Sequence, residues 1–398
     1  MSKRIVLVLL TIVFSISILA QEADVKSDGY QFEMVKELKT SSVKDQYRSG
    51  TCWSFAGISF LESELIRKGK GEHNLSEMFI VRQAYSDKAR LTVRMHGNLN
   101  FGPGGAFHDV TSMWKKYGIV PEEAYAGLVI GEDNHIHGEM DAVLNAYVEG
   151  VIKNKNKKLT PVWHKGFNSM LDAYLGDYPS KFDYKGKSYT PNSFADEMGL
   201  NMDDYIEISS YSHHPFYETF VLEVPDNWMW GQVYNVPMDE MIEVMDNAID
   251  KGYTVAWAAD VSEKGFAYRK GVAIVPTANT EEMNDAEILK WQEMSEKEKL
   301  SQLYKFDGPG SEKNITQEMR QKAYDNYQTT DDHGMHIVGI AKDQKGSKYY
   351  YVKNSWSDSN VYDGYFYASI PFIKYKTMCI MVHKDAVPKS IKKKLGLK

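Results

Sequence analysis

Roughly the last hundred residues constrain this chain most, because their short runs do not fit a helical period. Met335-His336-Ile337-Val338-Gly339-Ile340, Tyr349-Tyr350-Tyr351-Val352 and Tyr365-Phe366-Tyr367 are β-branched or aromatic and are separated by polar or glycine turns. Such runs predict strands, since these side chains pack well on a pleated surface. Earlier the period changes. Phe55, Ile58, Leu61 and Leu65 recur at three- and four-residue steps, and Arg67-Lys68-Gly69 supplies a basic, glycine-terminated end. This spacing predicts a helix over 53–68, beginning at or just after Cys52. A second helix is expected over 76–88, then a turn at Phe101-Gly102-Pro103-Gly104-Gly105. Further on, a helix over 238–251 leads into a buried strand over 254–258, and an amphipathic helical pattern spans 281–304. Helices first and strands last make an α+β arrangement, with a cleft expected between the two halves.

The composition, 43% hydrophobic and 13% aromatic over 398 residues, supplies a sizeable core. A net charge of -7 offers no basic field for phosphates, so no nucleic-acid partner is expected. Lys3 and Arg4 precede an apolar run from Ile5 to Phe14 that continues to Leu19-Ala20, the pattern of an export signal over 1–20. At about 15 residues the run is short of the ~20 a bilayer-spanning helix needs, so cleavage rather than anchoring is expected. The product would be periplasmic or extracellular. Only two cysteines, Cys52 and Cys379, are present, which rules out a disulfide scaffold. Cys379 lies in Met378-Cys379-Ile380-Met381-Val382, which reads as a buried strand. Residues 389–398 hold five lysines and no acid, a composition that fits a solvated helical end.

Chemistry gathers around Cys52. A thiol in the first turn of a helix meets the positive end of the macrodipole and unpaired backbone N–H groups, which favour the thiolate. Gln46 stands six residues earlier. Its amide and the backbone N–H of Cys52 can converge on the oxygen of a carbonyl attacked by sulfur, with Gly50 letting the loop bend between them. A thiol nucleophile also needs a proton acceptor that can later protonate the leaving group. His333 and His336, in Asp332-His333-Gly334-Met335-His336, compete for that role; three apart on a strand, they face opposite sides and only one can look into the cleft. Asn354, in Val352-Lys353-Asn354-Ser355-Trp356, is placed to orient the imidazole, with Trp356 shielding the contact. No third ligand stands near the histidine pair, so no metal site is expected, and no cofactor is called for.

Ser49-Gly50-Thr51-Cys52-Trp53 resembles the segment around the nucleophile of the papain superfamily. Serine at position 49 instead of cysteine makes it more similar to the bleomycin hydrolase and aminopeptidase C branch, which dispenses with disulfides. Leu75-Ser76-Glu77 and Gly118-Ile119-Val120-Pro121-Glu122-Glu123-Ala124-Tyr125 look like segments of the same family. Gly104-Gly105 resembles the glycine pair that holds substrate as an added strand. The resemblance implies a two-lobed papain-like fold over 21–398, with a helical lobe, an antiparallel β-barrel-like lobe and a mostly helical insertion over about 126–325. Registering His333-Gly334-Met335-His336-Ile337-Val338-Gly339 on the family's histidine strand puts His333 in the catalytic position and leaves His336 structural. It implies a cysteine peptidase acting on peptides through Cys52, His333, Asn354 and Gln46. In that branch a hexameric ring is usual, and the C-terminal carboxylate enters the cleft to meet the substrate's amino group, making an aminopeptidase. The lysine-rich end of this chain suits that cleft poorly, so endopeptidase action at the same site is the alternative, and a non-catalytic peptide-binding protein the next.

Overall fold

The computed structural model describes residues 29–156, 158–278, 280 and 283–397. The expected export signal over 1–20 lies outside the described residues, as does Lys398. Among those described, no helix is long and apolar enough to cross a membrane.

The helix predicted over 53–68 runs Cys52–Arg67 and is buried on every side from Trp53 to Leu65. A helix apolar around most of its circumference belongs at the centre of a layered fold. It lies between the helices Glu77–Arg94 and Phe107–Tyr117 on one side and the strands Val255–Ala259 and His333–Asp343 on the other. Glu77–Arg94 begins where expected because the Ser76 hydroxyl accepts from the Phe79 N–H at 2.9 Å, satisfying one of the free donors of the first turn. The pattern over 281–304 is instead two helices, Asp285–Glu293 and Glu296–Leu303. Met294 turns extended, and Ser295 with Glu298 forms a fresh capping box that restarts the helix.

One eleven-stranded sheet forms the other layer. Its centre runs Tyr205–Ser209, Thr377–His383, Val255–Ala259, His333–Asp343, Lys348–Lys353 and Tyr365–Ser369 in spatial order. These central pairings are antiparallel, while Gln232–Asn235 and Val272–Ala273 join outside them in parallel. The sheet is open and mixed, which corrects the expected antiparallel barrel. Closure needs the two end strands to pair. Here the ends are the short strands Thr219–Val221 and Phe266–Ala267, at opposite edges.

The eleven-residue strand His333–Asp343 changes neighbour along its length. His333 to Ile337 pair with Val255–Ala259, and Gly339 to Asp343 pair with Phe32–Glu37, near the start of the described chain. Gly339 is needed at the switch, because a Cβ there would collide with the carbonyl of Lys36. Residues 126–325 hold helices and also Tyr205–Ser209, Val255–Ala259 and the edge strands, so this stretch builds much of the sheet itself.

The two sheet faces carry separate cores. Ala256 and Met381 face the helix Cys52–Arg67, whereas Val255, Trp257, Met335 and Ile337 face the helix Met238–Asp250. The lysine-rich end forms the helix Lys389–Leu395 and docks on this second face, burying Ile391 and Leu395 beside Met241 and Met245. Lys394 bonds Glu240 at 2.6 Å. The expected solvated helix is therefore half core.

Candidate active site

The loop before the first helix is tied to the segment after Lys348–Lys353. The Gln46 N–H donates to the Ser355 carbonyl at 2.9 Å, and the Ser355 hydroxyl donates to Gln46 Oε1 at 2.7 Å. With its oxygen so held, the Gln46 amide nitrogen is left without a hydrogen-bond partner among the described residues and borders a cavity of 280 Å³. Gly50 has φ +65°, and any side chain there would strike Pro103. The bend brings Cys52 to the first position of its helix, where its N–H has no intrahelical acceptor. Trp53 donates through Nε1 to the Pro103 carbonyl at 2.9 Å, pinning the opposite lip of the cavity.

His333 opens the strand His333–Asp343 and is 4% exposed. Its Nε2 donates to Asn354 Oδ1 at 2.7 Å, which leaves Nδ1 as the acceptor nitrogen. Trp356 stacks on the imidazole at 4.6 Å between ring centres. Asn354 Oδ1 is itself fixed by the Ser355 N–H at 2.8 Å. His336 looks the other way: its Nδ1 lies 2.9 Å from the Ser59 hydroxyl, against the first helix. Cys52, His333, Gln46, Gly104 and Gly105 all line the one cavity; Asn354 stands behind His333, outside the lining.

Gly105 presents both its N–H and its carbonyl unpaired, among the described residues, at the cavity edge. A Cβ there would meet the Trp53 ring at 2.8 Å, and one at Gly104 would overlap the Asp226 carboxylate. The wall beyond holds groups that no local motif announces: Glu207, Asp226 and Asp331, with His108 and the buried Cys379.

Electrostatics oppose one expectation. Burial pushes the Cys52 thiol up to about 12; the Gly334 and Trp53 N–H groups oppose this, while Asp331 and Asp226 add to it. Burial also holds His333 down at about 4 against the pull of Asn354 and Asp332. These effects oppose the helix terminus and favour the neutral thiol and imidazole over the charged pair. Such a pair can still pass a proton from sulfur to Nδ1 as the sulfur attacks, and Gln46 with the Cys52 N–H can receive the developing oxyanion.

The sequence matches the model of the Peptidase C1-like family over residues 80–304 and 291–397. Gly104, Gly105, His333 and Asn354 fall inside those stretches; Gln46 and Cys52 precede them. The chain is 22% identical to aminopeptidase G of Lactobacillus delbrueckii subsp. lactis, covering 89% of this chain and 83% of that one. It is likewise 22% identical to aminopeptidase C of Streptococcus thermophilus, covering 93% and 85%. The crystal structure of PepW from Lactobacillus rhamnosis superposes with a TM-score of 0.66 at 17% identity, over 92% of this chain and 84% of that one. At that identity the superposition speaks for a shared fold.

Proposed function

Because the chain belongs to the Peptidase C1-like family, we propose that it is a cysteine aminopeptidase that cleaves peptide bonds through a thioester on Cys52. Sulfur attacks the carbonyl carbon while its proton passes to His333 Nδ1, and the oxyanion is received by Gln46 and the Cys52 N–H. The C–N bond then breaks as the imidazolium protonates the leaving amine. Water attacks the thioester, giving its proton to His333, and releases the acid and the thiol. Gly105 holds the substrate backbone as an added strand. The observation that carries this reading is the 2.7 Å bond from His333 to Asn354, at a cavity lined also by Cys52 and the free Gln46 amide. Cys52→Ala is expected to abolish turnover of a fluorogenic aminoacyl amide while the melting curve stays cooperative; retained turnover refutes the proposal.

Action at the amino end is supported by the names of the relatives, aminopeptidases G and C. One observation favours endopeptidase action: as far as Leu397 the C-terminal segment is tied to the face of the sheet opposite the first helix. A substrate compared with its N-acetylated twin separates the two, since only an aminopeptidase loses many-fold on acetylation. Export rests on the pattern of Lys3 to Ala20, and sequencing the amino terminus of the secreted or periplasmic product tests it. A homo-oligomer, the hexamer of the branch, rests on family resemblance, and light scattering tests it.

A further inference from the structure

Negative charge on the cavity wall is only partly balanced by the chain's own cations. Glu207 is satisfied: both its oxygens lie 3.2 Å from His108 Nδ1. Burial disfavours charge on His108, but Glu207 beside it raises the imidazole to about 9, so this pair is a closed ion pair. Asp226 accepts one hydrogen bond, from Asn100 at 2.9 Å, and feels the charge of Lys88 without a direct ion pair, because the Lys88 ammonium donates to the carbonyls of Gly102 and Gly104. Asp331 makes no hydrogen bond and no ion pair to any described residue. The charges that reach it, Asp226, Asp332 and Glu207, are all carboxylates. Asp332 turns its own carboxylate to the N–H groups of Val261 and Ser262.

A second observation marks this cavity as made for a ligand. Gln46 is 6% exposed, yet its amide nitrogen faces the same space without a partner. The cavity thus offers a donor for a carbonyl oxygen near the sulfur and, on another part of its lining, Asp331 with no cation near it and Asp226 with no direct ion pair among the described residues.

We propose that Asp331 and Asp226 form a receptor for an aliphatic ammonium group of the substrate, beside the thiol that attacks it. The inference rests on the peptidase reading and names what that site selects. Two parts of a peptide carry such a group: the α-ammonium of the first residue, about 2.5 Å from the scissile carbonyl carbon through N–Cα and Cα–C bonds, and a lysine side chain one residue further back.

The same geometry gives the cation a second effect. Asp331 and Asp226 both push the Cys52 thiol up, and burial with mutual repulsion holds Asp331 at about 7. An ammonium between them lets both ionise and cancels their field at the sulfur, so the cationic substrate eases removal of the Cys52 proton by His333. Selection then shows in kcat as well as in KM.

The test measures kcat/KM for four fluorogenic amides: alanyl, acetyl-alanyl, acetyl-lysyl-alanyl and acetyl-leucyl-alanyl. A charged hydrogen bond implies that Asp331→Asn and Asp226→Asn each reduce the preference for the cationic member of a pair by about 10- to 100-fold. Loss confined to alanyl against acetyl-alanyl assigns the α-ammonium; loss confined to the lysyl and leucyl pair assigns the side chain. Equal effects on cationic and neutral members in both variants overturn the proposal. If no amide is turned over, the peptidase reading has failed by itself. Calorimetric titration of the Cys52→Ala chain with alanyl-alanine amide and its acetylated twin still reads the receptor. There, tighter binding of the amine that is lost in Asp331→Asn supports it, and equal binding of the twins overturns it.

Discussion

Replacing Asn354 with alanine separates orientation of the imidazole from binding of the substrate. Asn354 is 3% exposed and does not line the cavity, so its loss leaves the surfaces that touch a peptide in place. Its Oδ1 accepts from His333 Nε2 at 2.7 Å and from the Ser355 N–H at 2.8 Å. The first bond strengthens when the imidazole is protonated, as it is once it has taken the proton of Cys52. A hydrogen bond to a charged group contributes about 1.5–3 kcal/mol. At about 1.4 kcal/mol per decade, kcat is expected to fall about 10- to 100-fold with KM nearly unchanged. Alkylation of Cys52 by iodoacetamide, which needs the thiolate but no acyl transfer, is expected to slow by a similar factor. Leaving the buried Ser355 N–H without its acceptor costs about 1–3 kcal/mol of stability, read from the urea midpoint. Should the stability fall while kcat and alkylation per folded molecule hold, Asn354 supports the fold and does not orient His333.

Gln46→Ala removes an oxyanion donor and is expected to lower kcat by about 10²–10³-fold. Ser355→Ala frees the Gln46 side chain and is expected to lower kcat by a smaller factor, measured with the same substrate. Gly105→Ala drives a methyl group against Trp53 and Asp109 and is expected to cost about 1–3 kcal/mol in denaturant unfolding. His336 is held well below its ordinary 6.5 by burial, then by Lys353, so its folded value is depressed. The stability it confers is full above about pH 6.5 and is lost as pH falls below that, toward the folded value. His336→Gln is therefore expected to flatten the dependence of unfolding free energy on pH between about 6.5 and 5, while kcat per folded molecule is retained. Ile391→Ala is expected to destabilise by about 2–5 kcal/mol, since Ile391 is 1% exposed against the helix Met238–Asp250.

Local signals account for much of what could be read in advance. The period through Phe55, Ile58, Leu61 and Leu65 places the first helix to within a residue at each end, because helix spacing and its glycine stop are written locally. Gln46, Cys52, His333 and Gly104-Gly105 stand in short local motifs, and the fold brings them to one cavity with Asn354 behind His333. Features set by distant pairing were illegible. The strand Phe32–Glu37 lies in a polar stretch and exists because Gly339 to Asp343 offer it an edge. Asp226 and Asp331 belong to turns and loops with no motif, and only the fold shows that both reach the sulfur. The burial of Ile391 and Leu395 had a signal, apolar residues four apart on a helix, but five surrounding lysines obscured it. The helix terminus favours the thiolate; burial and two carboxylates, which no helix argument contains, oppose it.

The tie between Gln46 and Ser355 spans 309 positions of the chain. Ribosomes add about 5–20 residues per second, so about 15–60 s separate synthesis of the two. For most of that interval the thiol exists without its imidazole, and throughout it the Gln46 oxygen lacks its Ser355 partner. Parts of a site set so far apart in the chain can meet only after the later ones have been made. The site is complete only once the strand His333–Asp343 has packed on the first helix and Ser355 has reached Gln46.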